Sequence, residues 1–337
     1  MPFRQPYVTS RGSLDARQLV LLRIRTAGGT IGLGEAVPMA LRGGTSISEI
    51  VDELQGWGSL AVEGDQFPNA TRMSTPARVA IEMAISDAES KERGMPLHEY
   101  LAAGSSASPV LCNATLTTGT PAGVLEQAEA WAADGFTVFK LKVGSGDDAA
   151  QIEAVRDGLG PEVKIRIDAN GSWTVDEAAA ILDQIESFDI ELVEQPVADL
   201  EGMAALRART SIPLVADESV ASEADAKAAV DLEACDAATV KLSKIGHLDP
   251  SLGGHLPTYL SSALDGPVGI AAAAHVAQTL PQSGPWSSVA QGLATERLFD
   301  GTIAEQGMLL DGPHLLVPDG NGLGITIDET ALNVHRL

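Results

Sequence analysis

Short apolar runs alternate with amphipathic segments along the chain from residue 110 onward. The runs, rich in β-branched residues, fall at 110–116, 137–143, 163–168, 190–194, 213–217 and 237–241. Between them lie Ala-rich segments whose apolar positions have helical spacing, among them 121–133, 147–159 and 175–188. Strands that alternate with helices of this length predict a parallel sheet built from βα units.

The segment before residue 105 has a different pattern. Runs at 18–25 and 30–35 flank a Gly-containing turn and predict a hairpin. Two helices follow, and Gly94 ends the second. The turn-rich tail at 309–326 is expected to return to this hairpin. We therefore predict a capping domain at 1–105, a barrel domain at 106–305 and a C-terminal segment at 306–337 that rejoins the cap.

The sixth βα unit departs from the pattern. Residues 247–255 contain Pro250, Gly253 and Gly254, which disfavour a helix and predict a loop or a stub of helix. Beyond them we predict strand seven at 257–262, a helix at 267–280 and a weak last strand at 289–293.

Charged residues end five successive predicted strands: Lys142, Asp168, Glu194, Asp217 and Lys241. From Asp168 on they are 23 to 26 residues apart, about the length of one βα unit. In a closed barrel such strand ends share one mouth, where barrels keep their chemistry. Three carboxylates there suit Mg²⁺ or Mn²⁺. We therefore predict metal ligands at Asp168, Glu194 and Asp217, although each carboxylate alone could simply cap the following helix.

Lys142 and Lys241 flank the predicted metal site and are candidates for general bases. Burial beside another cation disfavours the ammonium form of a lysine and makes it a base. The alternative is that they only balance the charge of the carboxylates. Lys140 shares a strand face with Lys142 and is expected to tune it. Lys164 and Lys244 are expected to be solvated.

Two further polar residues follow the carboxylates closely. Asn170 comes two positions after Asp168, and Glu218 comes directly after Asp217. We expect both to orient ligands or lysines, with ordinary loop polarity as the alternative.

Composition limits the kinds of partner. The 337 residues carry a formal charge of −24, which argues against nucleic acid and anionic membrane surfaces. Cys112 and Cys235 are expected to be reduced, buried thiols. No basic-then-apolar leader pattern or uncharged apolar run of about 20 residues is present, so we expect a soluble cytoplasmic protein.

These motifs resemble the muconate-lactonizing-enzyme subgroup of the enolase superfamily. The shared features are Lys-x-Lys at 140–142, Asp-Ala-Asn-Gly at 168–171, Glu-Gln-Pro at 194–196, Ala-Asp-Glu-Ser at 216–219, Lys241, and Gly-Glu-Ala at 34–36. The resemblance covers essentially the whole chain. It implies an α/β fold, a (β/α)7β TIM-type barrel under an α+β capping domain built from both chain termini, with Mg²⁺ as cofactor.

Within this subgroup the chain is similar to o-succinylbenzoate synthases of the actinobacterial type. The similarity rests on Ser-Ser-Ala-Leu-Asp at 261–265, Cys-Asn-Ala-Thr at 112–115 and Gly-Leu-Ala-Thr at 292–295. It implies a metal-dependent hydro-lyase acting on a small-molecule carboxylate in menaquinone biosynthesis. Lys142 would remove a proton and then protonate the departing hydroxyl, and Lys241 would stabilise the enolate.

The same resemblance gives expectations for the substrate pocket. Ser261, Ser262 and Gly292 are expected to bind substrate. The N-terminus of the helix near Pro267 is expected to hold a substrate carboxylate, since helix N-termini bind anions. Cap loops at 10–12 and 42–45 are expected to close the site.

Other activities fit the same metal and lysines. An N-acylamino acid racemase or a dipeptide epimerase would use the two lysines as paired bases, and muconate cycloisomerase is a further option. A dipeptide epimerase would be expected to show Asp-x-Asp at the end of the last strand, and none occurs near Gly292. A non-catalytic barrel would be expected to lose at least one ligand or base, yet all five are present. The oligomeric state stays open.

Overall fold

The fold is taken from a computed structural model, which describes residues 1–39, 44–63, 67–144 and 146–336. The strands of the first part are β1 (Pro2–Thr9), β2 (Gly12–Ala16), β3 (Val20–Arg25) and β4 (Ile31–Ala36). The helices that follow are α1 (Ile47–Glu63), α2 (Thr75–Arg93) and α3 (Leu97–Leu101). The hairpin β3–β4 is antiparallel, as the pattern predicts. The hairpin β1–β2 had no sequence signal that we recognised.

Hairpin β3–β4 lies against α2 at unusually short range. A Cβ atom at Gly34 would collide with the backbone carbonyl of Ala80, and one at Gly32 with that of Ala84. Glycine on the strand and alanine on the helix therefore allow the two backbones to approach. Gly94 ends α2 in the left-handed conformation, as expected.

Seven parallel strands form the second part, in the order of the sequence. They are β6 (Ala114–Leu116), β7 (Val138–Lys142), β8 (Lys164–Asp168), β9 (Ile190–Glu194), β10 (Leu214–Ala216), β11 (Ala237–Val240) and β12 (Thr258–Leu260). Single bridges from Gln291 to Cys112 and from Gly292 to Ser261 join the two edges of the sheet. The curled α/β architecture predicted from the alternating pattern is confirmed, and its last strand is reduced to these two bridges.

Helices connect the strands on the outer side. They are α4 (Pro121–Ala132), α5 (Asp148–Leu159), α6 (Val175–Ile185), α7 (Leu200–Arg207), α8 (Glu223–Asp231), α9 (Leu242–Ile245) and α10 (Pro267–Ala277). The helix α9 is one turn long and ends at Gly246 in the left-handed conformation. Residues 247–255 form a loop with one 3-10 turn at Leu252–Gly254, as predicted. Arg78 of α2 donates to the carbonyls of Ile245 (2.8 Å) and Gly246 (3.1 Å). The cap thus supplies the donors for the C-terminus of this short helix.

The last part of the chain lies against the cap. Its strands β13 (Leu310–Asp311) and β14 (His314–Leu315) pair with β5 (Val110–Leu111), and α11 (Glu329–His335) follows. The buried carboxylate of Asp87 in α2 accepts the amides of Leu33 at 2.8 Å and Leu323 at 2.7 Å. The domain boundaries near residues 105 and 305 stay predictions.

Two general expectations can be compared with the fold. Cys112 and Cys235 are both buried, free thiols, as predicted. None of the described helices combines the length and the apolarity that crossing a membrane requires.

Candidate active site

The charged strand ends meet at one mouth of the sheet. In the strand register Lys142 is opposite Asp168, and Asp168 is opposite Glu194. Asp217 and Lys241 each directly follow the last residue of their own strand, β10 and β11. All five residues are at most 5% exposed. The local strand pattern therefore brings the predicted metal ligands and lysines together.

Lysine ammonium groups lie against each carboxylate. Lys140 Nζ contacts Asp168 Oδ2 at 2.8 Å and Glu194 Oε1 at 2.7 Å. Lys142 Nζ donates to Asp168 Oδ2 at 2.6 Å, and Lys241 pairs with Asp217. Burial by itself would raise the pKa of Asp168, but Lys140 and Lys142 outweigh it and hold that pKa well below its usual range.

Lys140 is a permanent cation of this cluster. Burial would lower its pKa, but the carboxylates of Asp168 and Glu194 raise the pKa of Lys140 well above its usual value. Lys140 therefore stays charged at neutral pH. It supplies fixed positive charge next to Lys142, in keeping with the tuning role expected for it.

Asn170 and Glu218 form a hydrogen-bonded pair above Lys142. The Asn170 side chain accepts from Lys142 Nζ at 3.1 Å and donates to Glu218 Oε1 at 3.1 Å. Its backbone is left-handed, with φ of 50°, which asparagine tolerates. Arg11, in the turn between β1 and β2, donates to the Asn170 carbonyl through Nε at 3.0 Å. The cap thus holds the loop that positions Lys142.

The prediction that Lys244 is solvated is wrong. It was expected to be solvated, but it is buried, and its Nζ donates to the Asp217 carbonyl (2.5 Å), Asp217 Oδ1 (3.0 Å) and the Thr239 carbonyl (2.7 Å). The missed signal is its spacing from Lys241, because residues three apart lie on the same side of a helical turn. Lys164 is exposed, as expected, and pairs with Glu191.

A cavity opens above the carboxylates between cap and barrel. Its lining includes five cationic side chains: Arg11, Arg17, Lys140, Lys142 and Lys241. It also includes six hydroxyl groups: those of Tyr7, Thr9, Thr115, Ser261, Ser262 and Thr295. Among the described residues that line it, none is Asp or Glu. The cavity therefore suits a ligand that carries negative charge.

The predicted substrate residues take different places around this cavity. Ser261 and Ser262 line it, whereas Gly292 lies behind Ser261 and bridges to it. A Cβ atom at Gly292 would approach Ser261 Oγ to 2.6 Å, so this glycine allows the strand ends to meet. Of the two cap loops, residues 10–12 reach the site through Arg11. In the other loop, Arg42 and Gly43 lie outside the described residues.

The prediction that the N-terminus of α10 binds a substrate carboxylate is wrong. Glu35 of β4 occupies this position, and its Oε1 accepts the Gly266 amide at 2.6 Å. Burial and the neighbouring Asp265 raise the pKa of Glu35 to about 8. The chain fills the helix N-terminus with its own carboxyl group, so a substrate carboxylate has no place there.

The donor set fits Mg²⁺ or Mn²⁺. Asp168, Glu194 and Asp217 offer hard oxygen ligands that are fully buried, and no described residue lining the cavity is His or Cys. Among the described residues, no group of acidic, histidine or cysteine side chains is already spaced as a metal cage. The ammonium group of Lys140 lies between the carboxylates of Asp168 and Glu194, so a metal would have to replace some of these ion pairs.

Comparison with known proteins identifies the family. The N-terminal domain of the mandelate racemase / muconate lactonizing enzyme family matches residues 1–102. The family described as enolase C-terminal domain-like matches residues 123–331. The chain therefore belongs to the mandelate racemase / muconate lactonizing enzyme family of the enolase superfamily and is an enzyme of that superfamily.

Three curated relatives with similar levels of sequence identity to this chain have three different activities. An o-succinylbenzoate synthase of Thermobifida fusca is 36% identical over 60% of this chain and 66% of its own. Muconate cycloisomerase 1-2 of Acinetobacter lwoffii is 31% identical over 97% of this chain and 90% of its own. An L-Ala-D/L-Glu epimerase of Clostridium acetobutylicum is 27% identical over 96% and 95%.

Solved structures show the same fold. The N-succinyl Arg/Lys racemase of Bacillus cereus superimposes with a TM-score of 0.88 at 26% identity, covering 99% of this chain and 94% of that one. A dipeptide epimerase of Enterococcus faecalis, solved with Mg and the dipeptide L-Leu-L-Tyr, superimposes with a TM-score of 0.87 at 25% identity. The match covers 97% of this chain and 96% of that one. The fold and superfamily are therefore shared with enzymes of several activities.

Proposed function

We propose that this enzyme is a Mg²⁺-dependent dehydratase of the o-succinylbenzoate synthase type. Its substrate would be 2-succinyl-6-hydroxy-2,4-cyclohexadiene-1-carboxylate, a small dianion without an ammonium group. The observation that carries the proposal is the cavity with five cationic side chains and no Asp or Glu among its described lining residues. Such a lining favours a substrate with more than one carboxylate.

Each residue would have a distinct task. Lys142, in its neutral amine form, would take the proton α to the ring carboxylate and return it to the departing hydroxyl on the same face, so that water leaves as the double bond forms. Lys241, whose side chain also lines the cavity, would stabilise the enolate by its charge. Asp168, Glu194 and Asp217 would hold Mg²⁺. A bound Mg²⁺ would supply further charge stabilisation to the enolate.

Lys140 and Asn170 support this arrangement. The permanent charge of Lys140 lies beside Asp168 and Lys142, where it disfavours a second ammonium group. Asn170 holds Lys142 Nζ at 3.1 Å, which fixes the direction of the base. Positioning of the base accounts for a large part of the rate enhancement in acid–base catalysis.

Ultraviolet-monitored turnover of the cyclohexadiene substrate with Mg²⁺ would test the proposal. We expect turnover by the wild type and its loss, by a factor of at least about 10², in Lys142→Ala. The exposed Lys164→Ala serves as the control and should turn over normally. An inactive wild type would refute the dehydratase assignment, whatever the lysine variants do. The same preparation would be offered cis,cis-muconate to test for cycloisomerase activity.

An N-succinylamino acid racemase is the second candidate. Lys142 and Lys241 come from strands on different sides of the cavity, and an N-succinyl-L-Arg/Lys racemase of Bacillus cereus is 29% identical over 75% of this chain. N-succinylamino acids also carry two carboxylates, and succinylation leaves them without an α-ammonium group. Exchange of the α-proton in deuterated water would reveal this activity. Free dipeptides fit less well, because no described lining carboxylate could receive their ammonium group.

A further inference from the structure

Tyr259 lies one layer below the cavity, inside the barrel. It is 2% exposed and does not line the cavity. Ser261 follows two positions later, so both side chains point to the inside of the sheet, with Ser261 at the cavity and Tyr259 beneath it. Tyr259 therefore cannot reach a substrate, and any influence on the reaction must pass through another residue.

The hydroxyl of Tyr259 donates to a proposed metal ligand. Tyr259 Oη lies 2.9 Å from Glu194 Oε2, whereas Lys140 Nζ lies 2.7 Å from Glu194 Oε1. The two donors therefore lie on different oxygens and together fix the plane of the carboxylate. An ionised carboxylate has about four acceptor positions, so such bonds are compatible with a metal on the same group.

The ring of Tyr259 is packed among apolar side chains and contacts one cation. Leu192, Val215 and Ala237 pack with it in a buried apolar cluster. The guanidinium of Arg166 lies 5.7 Å from the ring centroid, and Arg166 is itself fixed by bonds to Glu191 (2.5 Å) and the Ala290 carbonyl (2.6 Å). A ring clamped in this way presents its hydroxyl in one place.

Tyr259 gives Glu194 a neutral side-chain donor beside the ammonium group of Lys140, whereas two lysines contact each of the other two ligands, and Asp168 also accepts the backbone amide of Asn170 at 3.0 Å. Asp168 is contacted by Lys140 and Lys142, and Asp217 by Lys241 and Lys244. Every ammonium group repels a divalent cation, whereas a phenol does not.

We infer that Tyr259 is a positioning residue that sets the orientation, and thereby the metal affinity, of Glu194. The inference rests on the proposed metal site but not on the choice of substrate. Residues that orient a ligand in this way typically contribute 10- to 100-fold to metal affinity.

The test is the dissociation constant of Mn²⁺ without substrate, measured by electron paramagnetic resonance of the free ion. Tyr259→Phe removes only the hydroxyl and keeps the packed ring. Tyr100→Phe is the matched control, because Tyr100 donates to Glu89 at 2.6 Å, outside the cavity lining. We expect Mn²⁺ binding about tenfold weaker or more in Tyr259→Phe and unchanged in Tyr100→Phe.

Metal-free melting temperatures and circular dichroism of both variants separate folding from binding. A purely structural role would lower the melting temperature of Tyr259→Phe and leave its Mn²⁺ affinity within twofold of wild type, which would overturn the inference. A wild type that binds no Mn²⁺ would overturn the proposed metal site itself, and the inference with it. Mn²⁺ binding by the wild type without dehydratase activity would leave the inference supported and refute only the proposed substrate.

Discussion

Glu35 makes a quantitative prediction about the contact between cap and barrel. Burial, with the Asp265 carboxylate next in importance, raises its pKa from the ordinary 4.5 to about 8. The unfolded chain therefore loses this proton near pH 4.5, whereas the folded chain keeps it until near pH 8. The resulting contribution to stability is fully present below pH 4.5 and is lost as the pH rises through 8.

The size of the effect follows from the two pKa values. One pKa unit corresponds to about 1.4 kcal/mol, so keeping Glu35 buried costs about 2 kcal/mol at pH 6 and about 5 kcal/mol at pH 9. The wild type should therefore lose about 3 kcal/mol between these pH values through this group. Glu35→Gln keeps a side-chain oxygen for the Gly266 amide but cannot ionise, so it should not show this loss.

Urea unfolding at pH 6 and pH 9 would measure the difference. At each pH the quantity of interest is the free energy of unfolding of Glu35→Gln minus that of the wild type. We expect this difference to be about 3 kcal/mol larger at pH 9 than at pH 6. Glu99→Gln, a change at an exposed glutamate, is the control and should follow the wild type. If Glu35→Gln followed the wild type as well, Glu35 would be ionised in the folded protein and the reasoning would be wrong.

Two further predictions concern close packing and the buried lysine. Gly34→Ala should lower the free energy of unfolding by about 1–3 kcal/mol, because its Cβ would collide with the backbone of α2. Gly28→Ala in the same hairpin is the control and should change this free energy by less than about 0.5 kcal/mol, because no atom lies nearer than 3.5 Å to its Cβ. Equal effects of the two variants in chemical denaturation would contradict the steric argument. Lys244→Met should lower the free energy of unfolding by about 3 kcal/mol or more, because it removes one partner of a buried ion pair with Asp217. Lys164→Met, at a surface ion pair, should lower it by less than about 1 kcal/mol. A Lys244→Met variant as stable as the wild type would show that Lys244 is dispensable.

The repeating architecture and the charged strand ends could be predicted from the order of residues alone. Both are local properties, since a buried strand shows as an apolar run and the residue that ends it is adjacent in sequence. Parallel strands then bring these ends together in any barrel. For the same reason the stub after strand six could be predicted, because Pro250, Gly253 and Gly254 prevent a helix wherever the segment lies.

The residues that support the site could be identified only from the folded chain. Tyr259 lies 65 positions from Glu194, Arg11 lies 159 positions from Asn170, and Glu35 lies 231 positions from Gly266. No local pattern encodes such contacts, because they depend on how the cap docks and on which barrel layer a side chain enters. The N-terminus of α10 was expected to hold a substrate carboxylate for the same reason, because the position of Glu35 there is not visible in the sequence. Lys244 differs, since its spacing from Lys241 was a local signal that the prediction of a solvated side chain overlooked. The sequence thus predicts the charges at the mouth, and the packing of distant segments determines how each charge is held.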